Sequence, residues 1–369
     1  MINNKILVKS KSKEYPIYIG NKNIKIIKKL IKKNIPNVKK ICIISDKNVP
    51  LEIKKKLSIC LKKFDIKIFS LNVNEKIKSF KIANNIAEKI LQDNFNRSDC
   101  IIGLGGGIVG DLAAFVASIV KRGIKFVNIP TTLLAQVDSS IGGKTGVNSS
   151  QGKNLIGTFY QPDFVVTDVS TLDTLPNREM ICGYGEILKH SFILDKNFFN
   201  WLKKNGKKII IKRNKNIIKK AIIQSCKIKS KIVEKDEKEK NLRKVLNFGH
   251  TFAHGFEATK NFSKKLNHGE AVLLGMVIAS KFSYEKKILP HVELVKIKSH
   301  YNNLSLPVNL GKFFKKKEIN KIVHFMQKDK KNLNEKINLI LIKKIGKINN
   351  PGGNAYSSKE IKKFLNSQI

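Results

Sequence analysis

The sequence predicts a two-domain chain, an N-terminal α/β layer domain followed by an α-helical domain. Three observations carry this. Before about residue 170, short β-rich runs alternate with helical ones, the pattern of a sheet covered by helices. After LDTLPNREM (172–180) the pattern turns to successive amphipathic helices. At 369 residues the chain is also longer than one hydrophobic core usually serves. There is no internal repeat and no tether rich in Gly, Ser or Pro, so one boundary suffices, with domains at 1–172 and 173–369.

Taken in order, the strands are KKICIISD (39–46), FDIKIFSLNV (64–73), SDCIIGLG (98–105), GIKFVNIP (123–130) and DFVVTD (163–168). Helices are expected around 50–62, 77–93 and 108–121; the last, IVGDLAAFVASIV, is apolar nearly all round and should be buried. The helical domain is read as 177–194, 214–236, 246–259, 268–287, 290–304 and 315–330. A returning strand at 336–346 and a short C-terminal helix complete it.

Composition excludes several classes. Hydrophobic residues at 41% rule out wholesale disorder. No apolar run approaches the ~20 residues of a membrane span, and the first twenty residues lack a secretory apolar core. The five scattered cysteines form no C-x-x-C pair, which suits a reducing compartment; a cytoplasmic location without membrane association is expected. The net charge of +44 invites a nucleic-acid reading. Yet only five of the 72 basic residues are arginine, and the filler is Lys, Ile and Asn throughout, all with A/T-rich codons. No nucleic-acid-binding motif appears, so specific nucleic-acid binding is the weaker, different-class alternative.

Against that background, clusters of Gly and His need a reason. Eleven of the 23 glycines fall in 103–157, and four of the seven histidines in 190–268. GLGGGIVGD (103–111) follows a strand and opens a helix, with Gly105, Gly107 and Gly110 matching G-x-G-x-x-G. There backbone N–H groups and a helix N-terminus can hold a pyrophosphate. The acidic ribose partner expected about twenty residues later is missing. Asp46 and Asn48, ending an earlier strand, can serve a ribose or adenine instead. The reading is a non-standard, Rossmann-like dinucleotide-binding domain; a plain packing turn is the alternative. In 128–157, Lys144, Lys153 and Asn154 resemble a loop organised around a small anion. A Walker loop is excluded because Asp138 occupies its first glycine position.

Three segments offer metal ligands. GYGEILKH (183–190) carries Glu186 and Lys189, NFGHTFAHGFE (247–257) places His250 and His254 on one helical face, and LNHGEAVLLGM (266–276) opens a helix with His268. Two histidines and a carboxylate suit zinc with an open position; hydrogen-bonded packing histidines are the alternative. Thr251 stands where a zincin needs glutamate, which disfavours a metalloprotease.

GGGIVGD, RGIKFVNIPTTLLAQVDSSIGGKTGVN, GKNLIGTFYQP, LDTLP, GYGEILKH, RKVLNFGHTFAH and HGEAV resemble, in order and spacing, the 3-dehydroquinate synthases, a family of sugar-phosphate cyclases, over about residues 40–350. The resemblance implies a lyase of the shikimate pathway that acts on a small phosphorylated sugar acid and leads toward chorismate and aromatic amino acids. It implies a homodimer that uses NAD and a divalent metal, zinc with cobalt as substitute. Carried over, the metal ligands are Glu186, His250 and His268. The NAD contacts are Asp46, Asn48, Glu75, Lys78, Gly106, Gly107, Asp111, Thr131, Thr132 and Thr174. The substrate pocket takes Asp138, Lys144, Asn154, Lys189, Lys229, Arg243, Asn247, His254 and Lys330, with Arg122 reaching over from a partner subunit. Lys153 joins these from the loop reading. Within this set Lys144, Lys189, His254, Arg243, Asn247 and Asp138 carry catalysis, His254 as proton shuttle. Gly185 stands where the family usually has alanine. Arg97 and Arg213, outside the matched motifs, are read as incidental. The enzyme alternatives are another sugar-phosphate cyclase, of inosose or valiolone type, and a metal-dependent polyol dehydrogenase.

Overall fold

In the computed structural model, which describes residues 4–263, 265–328 and 336–369, the chain forms two units. The first comprises residues up to Pro176 together with Arg213–Lys238, and the second Asn177–Lys212 and Glu239–Ile369. In chain order the first unit contributes β1 (Asn4–Lys9), β2 (Glu14–Gly20), α1 (Ile27–Asn34), β3 (Lys40–Asp46), α2 (Leu51–Leu61), β4 (Asp65–Leu71) and α3 (Phe80–Gln92). It continues with β5 (Cys100–Gly105), α4 (Gly107–Ile119), β6 (Lys125–Pro130), β7 (Val147–Ser149), β8 (Gly152–Ile156) and β9 (Phe164–Asp168). The second unit supplies α5 (Asn177–Leu194) and α6 (Lys196–Ile210); the chain then returns to the first for α7 (Lys215–Lys235). The rest belongs to the second: α8 (His250–Thr259), α9 (His268–Glu285), α10 (His291–Asn303), α11 (Ile319–Gln327), β10 (Lys336–Leu339), β11 (Ile342–Lys344), β12 (Lys347–Ile348), β13 (Asn354–Ser357) and α12 (Ser358–Asn366).

The first unit is built on a seven-stranded sheet of order β1-β2-β9-β6-β5-β3-β4, parallel except for the β1–β2 hairpin. Alternation within each strand feeds two cores. Ile41 and Ile43 of β3 pack with Leu30 of α1 and Leu57 of α2, whereas Cys42 and Ile44 pack with Ile86 of α3 and Leu112 of α4. Burial on both faces is why these strands read as continuous apolar runs. The chain leaves β3 through α2 for β4 on one side, and leaves β5 through α4 for β6 on the other. The carboxyl ends of β3 and β5 therefore flank the switch point of the sheet, where α/β domains bind nucleotides.

The second unit is helical, with two small antiparallel pairs, β10–β13 and β11–β12. Its helices start where short polar side chains accept first-turn amides: Asp195 from Phe198 N at 2.8 Å for α6, and Asn267 from Glu270 N at 2.9 Å for α9. The expected single boundary at 172/173 does not match this division, because the chain crosses over and α7 packs against β1 and β2 of the first unit. An amphipathic helix does not record in its sequence which sheet it will cover. Helix α6 was not expected at all. The five cysteines are free, and burial pushes the Cys182 and Cys226 thiols up to about 12, consistent with inert packing residues. Among the described residues no helix is long and apolar enough to cross a membrane.

Candidate active site

In the first unit, β5 ends at Gly105 and α4 begins with Gly106 as an N-cap that makes no side-chain capping bond, so its first-turn amides face outward for an anion. A Cβ at Gly105 would lie 2.8 Å from Val109 Cγ2, so this glycine lets helix and strand close up. Thr131 N donates to Gly105 O at 2.9 Å, and Thr132 Oγ1 accepts Ala135 N at 3.2 Å, which places both threonines beside the glycine turn. Across the switch point, the Asp46 carboxylate accepts Asn48 N at 2.8 Å at the end of β3.

A second group closes around α4. The buried Lys78 ammonium donates to both Asp111 and Asn154. Burial raises the Asp111 carboxyl above its ordinary range, and the Lys78 charge opposes that rise. Glu75 Oε1 accepts Asn148 Nδ2 at 2.8 Å, and its other oxygen lies 3.7 Å from Lys153 Nζ. Expected NAD residues (Glu75, Lys78, Asp111) and expected substrate-loop residues (Lys153, Asn154) thus form one network. Asn154 holds its place in left-handed backbone at φ 55°.

Residues Ala135–Ser139 form a single π-helical turn, with Ser140 N donating to Ala135 O at 3.1 Å. Gln136, fully buried, anchors it by donating to the carbonyls of Pro130 and Asp168 and to Thr171. The turn projects Asp138, whose carboxylate and carbonyl both accept the buried Lys229 ammonium, at 2.6 and 2.7 Å. Lys144 is exposed on the following loop, and Arg122 is exposed with φ 60°. Thr174 sits exposed in the turn before α5.

In the second unit, Glu186 on α5, His250 at the start of α8 and His268 at the start of α9 each present a ligand atom, all within 4.8 Å of one another. Backbone proximity brings them together. A Cβ on Gly275 of α9 would lie 2.2 Å from Gly249 O, and one on Gly269 would lie 2.2 Å from Cys182 Cα, so α9 packs almost bare against both α8 and α5. Gly249 itself turns into α8 at φ 79°. Glu186 Oε1 lies 3.6 Å from His250 Nε2, while His250 Nδ1 faces Phe248 O at 3.3 Å and His268 Nδ1 faces Glu257 Oε2 at 3.1 Å. Each histidine therefore offers Nε2 to the centre, with Nδ1 held by an outer oxygen, the arrangement of metal-ligating imidazoles. Burial alone would lower the His268 pKa, but the Glu257 carboxylate outweighs it and lifts it to about 9. Glu186 is buried, and neither of its oxygens has a well-directed hydrogen bond, although the Lys189 ammonium lies against one of them. A buried carboxylate left so is costly unless a cation completes it.

His254, one turn past His250, stacks edge-on to it with ring centroids 5.8 Å apart. Arg243 is buried, and Asn247 Nδ2 donates to Glu239 Oε1 at 2.7 Å. Lys330 lies outside the described residues. Glu257 was missed in the sequence, although it falls on the His250–His254 face of α8; its partner His268 is on another helix.

The reading of two arginines as incidental is overturned. Arg213 donates to the carbonyls of Leu172 at 3.3 Å, Asp173 at 3.2 Å and Leu175 at 2.5 Å, and Arg97 Nε donates to Lys121 O at 2.8 Å. Arg213 uses its planar fork of donors to secure a backbone turn, whereas Arg97 places one bond on another.

Family models described as 3-dehydroquinate synthase N-terminal and C-terminal match residues 68–182 and 183–332. The chain is 53% identical over 342 residues to a 3-dehydroquinate synthase of Pelagibacter ubique, covering 93% of each chain, and 43% identical to that of Dictyoglomus thermophilum, covering 92% of each. A crystal structure of 2-deoxy-scyllo-inosose synthase complexed with carbaglucose-6-phosphate, NAD+ and Co2+ shares the fold with a TM-score of 0.88 at 23% identity, over 99% of this chain and 100% of that one. So does 2-epi-5-epi-valiolone synthase from Streptomyces hygroscopicus with NAD+ and Zn2+ bound, with a TM-score of 0.83 at 23% identity over 96% of each chain. Motif, fold and close relatives agree: the chain belongs to the 3-dehydroquinate synthase family.

Proposed function

We propose that this protein is a cytoplasmic, homodimeric lyase that converts 3-deoxy-D-arabino-heptulosonate 7-phosphate to 3-dehydroquinate and phosphate. The 53% identity across nearly the whole chain is the observation that carries the reading. The donor sets fit the two groups such a reaction needs. Glu186, His250 and His268 would hold zinc or cobalt, the buried carboxylate and two Nε2 atoms turned to the centre being a catalytic type of ligand set with room for substrate. Gly106, Gly107 and the start of α4 would hold the NAD pyrophosphate, with Asp46 and Asn48 serving a ribose or adenine and Thr131, Thr132 and Thr174 as further contacts. When bound, the metal supplies Lewis-acid polarisation of a substrate hydroxyl, and NAD+ a hydride acceptor that returns its hydride within the turnover.

The chain's own residues then bind and move protons. Arg243, Lys144, Lys229 and Lys189 meet a substrate that carries both phosphate and carboxylate, which accounts for so many cations in the pocket set. Asp138, bridged to Lys229, and Asn247, held by Glu239, orient hydroxyls. His254, beside a ligand histidine, is placed to carry a proton during phosphate elimination and ring closure. Arg122 would complete the partner's pocket.

The test is phosphate release from the seven-carbon phosphate. Release should require catalytic NAD, leave no net NADH, and fail with a sugar phosphate that lacks the carboxylate. Accumulating NADH without phosphate would instead identify a dehydrogenase. Chelation, or His268→Ala, should abolish release, and full activity in either case would refute the metal assignment.

A further inference from the structure

The metal-site histidine His268 is the first residue of α9, so its position depends on how that helix begins. The Glu270 backbone N–H donates to Asn267 Oδ1 at 2.9 Å, and Glu270 Oε2 accepts Asn267 N at 3.0 Å, a reciprocal capping box around His268. Arg178, in the first turn of α5, grips that same carboxylate with two parallel bonds, Nε to Oε1 at 2.7 Å and Nη2 to Oε2 at 2.6 Å. One turn further along α5, Cys182 packs against Gly269 so closely that a Cβ there would have no room. The first turn of α9 is therefore tied to α5 by a fork of bonds on one side and by backbone contact on the other. Glu186 rides on the same α5, two turns beyond Arg178.

We infer that Arg178 is a positioning residue for the metal site, fixing through Glu270 the turn that presents His268 to Glu186 and His250. Stability alone does not account for the pair: the Arg178 side chain is 42% exposed against 17% for Glu270, so its contribution to folding is modest even with bidentate geometry. Its bidentate geometry matters instead, because metal ligands must hold their places to within about 0.2 Å. Lysine fills nearly every basic position in this chain, yet it cannot supply two parallel donors.

The inference rests on the metal-binding reading of Glu186, His250 and His268. Zinc affinity is measured by competition with a chromophoric chelator, and the site is also monitored by the absorption of bound Co2+. These are compared in the parent, Arg178→Met, Arg178→Lys, Glu270→Gln and the Met/Gln double variant. Arg178→Met should bind zinc about tenfold more weakly, the size of effect typical of groups behind a ligand. Its Co2+ spectrum should change, and its melting temperature should fall by less than about 3 °C. Arg178→Lys should fall between parent and Met. The double variant should be no weaker than Glu270→Gln alone, because the two residues act as a unit. Unchanged affinity and spectrum in Arg178→Met, or additive losses in the double variant, would overturn the positioning role while leaving the metal site standing. A parent that holds no zinc would overturn both.

Discussion

Gly275→Ala sets two physical effects against each other. In a helix interior alanine is favoured over glycine by about 1 kcal/mol, so propensity alone makes the change stabilising. The structure reverses the sign. The new Cβ would sit 2.2 Å from Gly249 O and 3.1 Å from Ala253 N, both backbone atoms of the α8 entry. Close carbon–oxygen contacts settle near 3.3 Å, so α8 and α9 would have to part by about 1 Å. Overpacking of this kind costs about 1–3 kcal/mol, which outweighs the propensity gain. The displacement falls on Gly249, immediately before His250, and moves that ligand away from His268 and Glu186. We expect Gly275→Ala to unfold at lower urea and to bind zinc at least tenfold more weakly. Gly185→Ala, one residue before Glu186, is the internal control. Its Cβ meets the buried Leu273 side chain at 3.1 Å, a crowding that a shift of a few tenths of an ångström relieves, so stability and zinc binding should change far less than in Gly275→Ala. A Gly275→Ala protein as stable as the parent with unchanged zinc affinity would refute the bare-backbone account of the site.

Other features carry their own tests. Burial holds His300 at about 4 rather than 6.5, so as pH falls from 7 to 5 the unfolded state gains a proton that the folded state refuses; the unfolding free energy should drop by about 2 kcal/mol, and His300→Gln should remove that part of the slope. Lys229→Met takes both bonds from Asp138 and its π turn and should cost about 2 kcal/mol in chemical denaturation; full stability would mean Lys229 serves substrate alone. Arg213→Lys keeps the charge but not the three carbonyl bonds, so it should lower stability by about 1 kcal/mol and loosen NAD binding through the Thr174 turn; an unchanged protein would return Arg213 to the incidental class.

What the sequence revealed and what it concealed follow from where each interaction closes. The central strands were legible because both faces are buried, which keeps them apolar even where lysine and asparagine fill the surface. The three candidate ligand segments were legible because histidine is scarce against the lysine filler, but they lie far apart in sequence, and the set Glu186, His250 and His268 came from the family resemblance rather than from spacing. Helix α6 was masked by Asn205 and Gly206, both poor helix formers in its interior, despite the apolar face carried by Phe198, Phe199, Leu202 and Ile209. Gly206 is required by neighbours far away in sequence, since a Cβ there would press on Leu304 and on the Tyr184 hydroxyl. Glu257 sits at helical spacing from His250 and His254, but its partner His268 lies eleven residues on, past a turn, so spacing alone did not reveal the pair. Arg97 and Arg213 bond to backbone carbonyls, which every residue possesses, so no partner side chain announces them.

The return of α7 to the first unit bears on how the protein is made. A ribosome delivers β1 through β9 first, then α5 and α6, and only afterwards the helix that packs on β1 and β2. Until residue 238 has emerged, that flank of the sheet lacks its cover, and the apolar stripe of Ile218, Ala221 and Ile222 has not been synthesised. The sheet is therefore completed late, during a window in which exposed strands invite association with other chains. A fragment stopping at residue 182, where the N-terminal family model ends, would be held in that unfinished state. Such a fragment should aggregate alone and be rescued in trans by a peptide spanning 213–238.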